Sequence, residues 1–359
     1  MASAITPTSR AGSSARVRAL PSLGGRLATS LPNAGWRTRF APAPTGYLHL
    51  GHLVNAIHVW GVARAYGGLV ALRIEDHDRT RCKPEYETAL HEDLEWLGFE
   101  ADIAPSASFG SREHADALTR PHAYRQSDQF ARFENALAEL GEQSLVFPCA
   151  CTRREIASMT SRLAGEELRY PGTCRDANIS PNETFARRVR IDVCAVQFDD
   201  LRLGPMMQRP SAQCGDVLVR DRHANWTYQF AVTVDDLTHD IDVIIRGEDL
   251  LSSTGRQFRL AQLLGRTAMP LTLHHALLCH PDGTKLSKSN RDTALRERRR
   301  NGATPQALLG EVAQLVGLQP TARSLHVKDL AALFLCSSSP SITSLLTTPT
   351  PPASPTAAP

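Results

Sequence analysis

The sequence predicts an α/β domain built on a doubly wound parallel sheet and interrupted by an insertion. Three observations support this. From Thr38 to Leu97, apolar residues fall into short compact runs and longer stretches at helical spacing, in the order strand, helix, strand, helix. A loop rich in Pro and Gly joins the first strand to the first helix, at the strand end where such sheets bind ligands. Strand-like runs return beyond about residue 190, after a polar stretch that breaks the rhythm.

Along the chain, residues 1–36 are expected to form a disordered N-terminal extension. Residues 1–40 hold six arginines, several serines and no Asp or Glu, the composition of an organellar transit peptide; a mis-assigned start in an arginine-rich genome looks the same. The first half of the α/β domain is expected over 37–100, with strands at Thr38 to Ala41 and Val70 to Ile74 and helices at Leu50 to Ala65 and Glu85 to Leu97. An insertion at 101–190 contains a helix-like segment, Gln129 to Leu140, and a cysteine cluster. The second half, 191–275, carries strand-like runs at Asp216 to Val219, Gln229 to Val234 and Val243 to Ile245, then a helix from Thr254 to Leu264. Residues 276–318 hold a lysine-bearing loop and a helix, Thr304 to Val316, opened by a threonine N-cap with proline at its first position. Residues 319–359 are expected to be mostly disordered, because Ser, Thr and Pro dominate from Ser337 onward.

With 359 residues and a hydrophobic fraction of 42%, the chain can bury a sizeable core. No apolar run approaches the roughly 18 to 20 residues of a membrane-spanning helix, and no repeat of fixed period is present. A net charge of only +3 means that a nucleic acid would have to be met by a local basic surface. Eight dispersed cysteines lack the density of a secreted disulfide scaffold, so a reducing compartment is expected: cytoplasmic, or organellar if the N-terminus acts as a transit peptide. A monomer is expected.

Two segments carry chemistry. In Arg39-Phe-Ala-Pro-Ala-Pro-Thr-Gly-Tyr-Leu-His-Leu-Gly-His52, His49 and His52 flank Gly51 where a helix begins. Unpaired N–H groups and partial positive charge collect at such an end, so His49, Gly51 and His52 form a candidate ATP-phosphate cradle; histidines that merely cap the loop are the plainer reading. In Gly283-Thr-Lys-Leu-Ser-Lys-Ser289, Lys285 and Lys288 flank a serine. The chain has only four lysines among forty basic residues, so two of them three positions apart suit a task that needs flexible point charges. Ammonium groups can stabilise the charge that builds on a departing pyrophosphate, and Lys288 is the first candidate; a solvated basic turn is the alternative.

Together these segments resemble the paired HIGH and KMSKS motifs of the class I aminoacyl-tRNA synthetases, here His49-Leu-Gly-His52 and Lys285-Leu-Ser-Lys-Ser289. Arg39-Phe-Ala-Pro, Leu72-Arg-Ile-Glu-Asp-His-Asp-Arg79, Asp93-Leu-Glu-Trp-Leu-Gly98, Val234-Asp-Asp236 and Ile245-Arg-Gly-Glu-Asp249 resemble, in the same order, the blocks of bacterial-type glutamyl-tRNA synthetases. The resemblance spans roughly residues 37 to 317 and implies a Rossmann-type parallel sheet and ATP-dependent activation of L-glutamate, with Mg2+ accompanying ATP. It implies that Arg39 and Arg246 receive the substrate carboxylates, Glu75 the α-ammonium group, and that Tyr228 lines the side-chain pocket. Ala43 stands where the family usually has serine, and Val232 where it often has asparagine.

Cys149-Ala-Cys151 and the later Cys174 offer three thiolates, and zinc prefers four ligands. Cys194 is one candidate for the fourth. The pattern also resembles that of the shortened glutamyl-queuosine tRNA(Asp) synthetases, in which a tyrosine precedes the last cysteine with three residues between; Tyr170 fits that position, in Tyr170-Pro-Gly-Thr-Cys174. Only about seventy residues follow Ser289, so no anticodon-binding domain is expected, only a short helical C-terminal part. That branch of the family transfers glutamate to queuosine at the wobble position of tRNA(Asp), and the resemblance extends this expectation to the chain. A truncated enzyme charging tRNA(Glu) and an idle tRNA-binding paralogue are the alternatives. Arg187, Arg188 and Arg190 are a candidate RNA-backbone contact.

Overall fold

A computed structural model of the protein describes residues 23–104, 122–160, 167–180, 182, 184–278 and 294–335. Lys285, Lys288 and the chain beyond Leu335 lie outside the described residues.

The chain opens with α1 (Leu23–Ser30), then β1 (Arg37–Phe40), α2 (Leu50–Ala65), β2 (Leu69–Leu72) and α3 (Pro84–Leu97). The middle of the chain holds α4 (Phe130–Glu142), β3 (Val146–Cys149), α5 (Arg153–Met159), β4 (Ala186–Val189), β5 (Val196–Asp200), β6 (Gly204–Gln208) and β7 (Val217–Arg220). It ends with α6 (Tyr228–Thr238), β8 (Val243–Gly247), α7 (Thr254–Leu263), β9 (Leu271–His275), α8 (Leu295–Arg300) and α9 (Pro305–Leu315), followed by a 3-10 helix at Val327–Leu333. No helix among the described residues is long and apolar enough to cross a membrane.

Parallel pairing joins β1 to β2, β8 to β9, and β9 to β5, while β6 lies antiparallel on the outer side of β5. The amide of Asp242 donates to the Arg37 carbonyl at 2.9 Å, and the Arg37 amide donates to the Asp242 carboxylate at 2.8 Å, so β1 runs beside the start of β8. Two halves separated by more than a hundred residues thereby meet side by side. Their apolar faces close over α2, which is buried on nearly every side from Leu53 to Ala63. A separate antiparallel sheet, β3-β4-β7, carries its own core of Phe133, Leu140, Val189, Val219 and Phe230. β3 and β4 pair antiparallel, and the chain then passes through β5 and β6 of the larger sheet before β7 returns antiparallel to β4.

Three expectations are corrected. Gln229 to Val234 is not a strand but the core of helix α6. Phe230, Val232 and Val234 alternate, yet every residue from Phe230 to Asp236 is buried, and a helix buried all round has no polar face to reveal its 3.6-residue period. Residues 23–36 belong to the fold: Leu27 is fully buried, and the Arg26 guanidinium donates to the Arg202 carbonyl. Residues 319–335 also belong to it, with Leu330 and Phe334 buried against α2. Gly61 permits this approach, since a Cβ there would come within 2.2 Å of the Phe334 ring. The Tyr66 hydroxyl engages both additions, reaching the Gly24 carbonyl at 3.2 Å and the Phe334 carbonyl at 2.9 Å.

Phe334→Ala is therefore expected to lower unfolding free energy by about 3 to 5 kcal/mol. Denaturant titration checks this; an unchanged midpoint would mean that the segment after residue 318 does not pack as described.

Candidate active site

His49 caps the N-terminus of α2. The Gly51 amide donates to His49 Nδ1 at 3.1 Å and the His49 amide donates to His52 Nδ1 at 3.1 Å, with the two rings 4.0 Å apart. Both Nδ1 atoms act as acceptors, so each neutral ring carries its proton on Nε2, a donor directed away from the cap. A side chain at Gly51 would lie 2.9 Å from the His49 ring, so glycine is required by close approach. Beyond the segment containing Lys285 and Lys288, the chain returns at Ala294, which bridges His49, and the Leu295 amide donates to the Leu48 carbonyl at 2.9 Å.

Next to this loop lies a buried ionic cluster. Arg39 grips Asp236 with Nε at 2.9 Å and Nη2 at 3.2 Å. Arg73, which has no exposure at all, donates to Asp236 at 2.6 Å and to Glu75 at 2.8 Å. Asp235 accepts from Arg132 at 2.5 Å and from Gln126 at 2.7 Å, and Gln126 in turn meets His77 Nδ1 at 2.7 Å. Burial opposes ionisation of Asp236, but Arg39 and Arg73 override it and hold its carboxyl well below the usual range. Thus two residues assigned to substrate, Arg39 and Glu75, already have protein partners.

Arg246 differs. It is 4% exposed, yet its guanidinium meets neutral acceptors: His274 Nε2 at 3.1 Å, Gln257 Oε1 at 2.7 Å and Thr254 Oγ1 at 2.9 Å. Among the described residues it forms no ion pair. Tyr228, half-buried, lies near enough to Arg246 and Arg39 to sense both charges, while burial raises its phenol above the ordinary value. Ala43 is partly buried in the loop after β1, and Val232 is 1% exposed inside α6.

The cysteine cluster sits at the end of β3. The sulfur atoms of Cys149, Cys151 and Cys174 all lie within 4.8 Å of one another. Tyr170 Oη approaches Cys149 Sγ at 3.5 Å and accepts from the Cys174 amide at 2.8 Å, so phenol and thiols converge. Burial, then the neighbouring Cys174 and Cys149, push the Cys151 thiol up to about 12, a penalty that a divalent cation among the sulfurs reverses. The donor set fits a metal ion. Cys194 lies apart, against Asp192 at 3.4 Å, and is not the fourth member. Arg188 is no surface contact either: it is buried, donates to Cys149 Sγ at 3.4 Å and stacks 3.9 Å over the Tyr170 ring.

Residues 36–330 match the family model described as tRNA synthetases class I (E and Q), catalytic domain. The chain belongs to this family of class I synthetases. Relatives of this class I synthetase include a Glutamyl-Q tRNA(Asp) synthetase of Ralstonia nicotianae, 38% identical over 304 residues that cover 82% of this chain and 89% of that one. Another of that name, from Rhodobacter capsulatus, is 35% identical over 78% of this chain and 99% of its own length. A Glutamate--tRNA ligase 2 of Syntrophus aciditrophicus is 37% identical, but the chain spans only 57% of it. A solved glutamate tRNA ligase from Elizabethkingia meningosepticum, in complex with its amino acid, shares the fold with a TM-score of 0.66 at 24% identity, and the chain covers 64% of it. The protein is a synthetase-type ligase with an α/β catalytic domain.

For this class I synthetase, reasoning from residue patterns gave no role to Arg73, Asp200, Asp235, Asp236, Gln257 or His274. A signal existed: each is a polar residue within or beside an apolar run, where burial without a partner is costly. The thiol cluster yields a direct expectation. Purified protein should carry about one metal ion per chain by elemental analysis, and Cys149→Ser should lose most of it while the remaining fold persists. Equal metal content in both would exclude the site.

Proposed function

We propose that the chain uses ATP to activate L-glutamate to glutamyl-adenylate, without tRNA, and then transfers the glutamyl group to the queuosine base at the wobble position of tRNA(Asp). Arg246 is the observation that carries glutamate recognition. A buried guanidinium with neutral partners only is unfavourable until an anion arrives, and a ligand carboxylate supplies one. Arg39, locked by Asp236, contributes the second positive charge, Glu75 meets the α-ammonium group, and Tyr228 walls the side-chain pocket. Ala43 and Val232 offer no side-chain hydrogen bond to the substrate.

In the first step an oxygen of glutamate's α-carboxylate attacks the α-phosphorus of ATP and the bond to pyrophosphate breaks. His49 and His52 hold the phosphates through their Nε2–H donors, Gly51 lets the phosphates approach the backbone, and Lys285 and Lys288 meet the charge on the leaving pyrophosphate. Mg2+, when bound with ATP, neutralises phosphate charge. In the second step a queuosine hydroxyl attacks the adenylate carbonyl, the bond to AMP breaks, and the hydroxyl proton leaves with the products. No protein nucleophile is needed, so positioning and charge stabilisation carry the catalysis. Zinc is the metal proposed for Cys149, Cys151, Tyr170 and Cys174, where it would clamp the insertion as a structural ion.

The acceptor rests on relatives named Glutamyl-Q tRNA(Asp) synthetase, of which this chain covers 89% to 99% in the cases from Ralstonia, Symbiobacterium and Rhodobacter. Labelled glutamate and ATP are expected to mark tRNA(Asp) that contains queuosine, and neither queuosine-free tRNA(Asp) nor tRNA(Glu). Marking of tRNA(Glu) instead would assign the activity named for the Syntrophus relative.

A further inference from the structure

We propose that Asp200 and His274 form a positioning pair that presents the Arg246 guanidinium to the carboxylate of the amino-acid substrate. This rests on the glutamate reading above and extends it to two residues that make no substrate contact themselves.

Strand register brings the three together. In the parallel pairing of β8 with β9, Arg246 lies opposite His274; in that of β5 with β9, Asp200 lies opposite Thr272, two residues before His274. Asp200 is 2% exposed and saturated: one oxygen accepts from the Leu203 and Arg202 amides at 2.8 and 3.0 Å. The other accepts from Thr272 Oγ1 at 2.9 Å, the His274 amide at 3.0 Å and His274 Nδ1 at 2.7 Å. A carboxylate so held can face only a protonated Nδ1. The lone pair of His274 is therefore on Nε2, where it accepts from Arg246 Nε at 3.1 Å and from the Thr254 hydroxyl at 3.2 Å. A proton on Nε2 would set one N–H against another. Burial lowers the imidazole's basicity and keeps it neutral.

The consequence is an arginine oriented by a carboxylate that never touches it. Arg39 shows the other arrangement, in which Asp236 occupies the guanidinium fork bidentately. Interposing one imidazole between Asp200 and Arg246 fixes the guanidinium plane from behind through Nε. Of the five N–H groups of Arg246, Nε and one on each terminal nitrogen are engaged, leaving one on each Nη for a ligand oxygen or the adjacent Tyr228 hydroxyl. The positive charge stays locally unpaired until substrate enters.

The test is glutamate-dependent ATP–pyrophosphate exchange by the full chain, with KM for glutamate, KM for ATP and kcat measured separately. His274→Asn keeps a donor toward Asp200 but removes the acceptor facing Arg246. It should raise KM for glutamate about tenfold or more while kcat and KM for ATP stay within about threefold. His274→Gln, whose amide reaches the Nε2 position, should recover most of that loss. If His274→Asn does not fold, as judged by thermal unfolding, Asp200→Asn replaces it, since it removes the charge that selects the imidazole tautomer. An active wild type whose variants keep the same KM for glutamate, or lose kcat and both KM values alike, overturns the pair. Absence of glutamate-dependent exchange in the wild type overturns the glutamate reading itself, and with it the substrate assigned to Arg246.

Discussion

Arg73 is the point on which the two halves of the sheet depend. It rises from the end of β2 with no exposure to water, and its guanidinium reaches forward to Glu75 and across to Asp236 on α6, a helix more than 150 residues later. Removing such a charge while leaving its partners leaves buried carboxylates uncompensated, at a typical cost of about 3 to 5 kcal/mol. The ladder that joins β1 to β2 and the backbone exchange between Arg37 and Asp242 bring the strands together, but neither specifies which face of α6 points inward. The ionic cluster does. Asp235 and Asp236 can satisfy Arg132, Arg73 and Arg39 in one rotation of the helix only, and that rotation also turns Tyr228 toward Arg246.

That dependence explains what could be read from the residues and what could not. The helix at Leu50 to Ala65 announces itself through a capped glycine loop and a long apolar run, and the described helix has those limits. The strand at 243–247 opens on the compact apolar run Val243-Ile-Ile expected of a buried parallel strand, whereas that at 37–40 is Arg-Thr-Arg-Phe and is marked mainly by the Pro- and Gly-rich loop that follows it. Helix α6 misleads for the opposite reason: its polar residues are inside, paired with arginines distant in sequence, so neither periodicity nor polarity marks a face. Leu27 sits in an acid-free stretch whose composition suggests disorder, and Phe334 sits in a short apolar run, Leu330 to Leu335, overshadowed by the Ser- and Pro-rich chain that follows; the groove that α2 offers makes burial of both favourable. Local sequence holds no record of that groove.

The candidate site divides the same way. Its histidine loop and its thiols are local patterns with chemistry attached to spacing, and both could be named from the sequence. His274 and Asp200 are marked there only as polar residues in apolar surroundings; their role comes from the strands beside them. The insertion shows a related effect at Arg188, one of three neighbouring arginines that sequence alone offers equally to RNA. In the fold it turns inward, its guanidinium against the Cys149 sulfur and the Tyr170 ring.

The hydroxyl of Tyr66 contacts the carbonyl of Gly24 and the carbonyl of Phe334, residues more than 300 positions apart. One phenol at the end of α2 therefore closes the described chain into a ring, with its first and last packed segments as neighbours. That topology suits a circular permutant in which a short linker joins Gly24 to Phe334 and the chain opens elsewhere. It also makes the two ends cooperative. Releasing one exposes the groove that shelters the other, so a cut within either packed segment should loosen both.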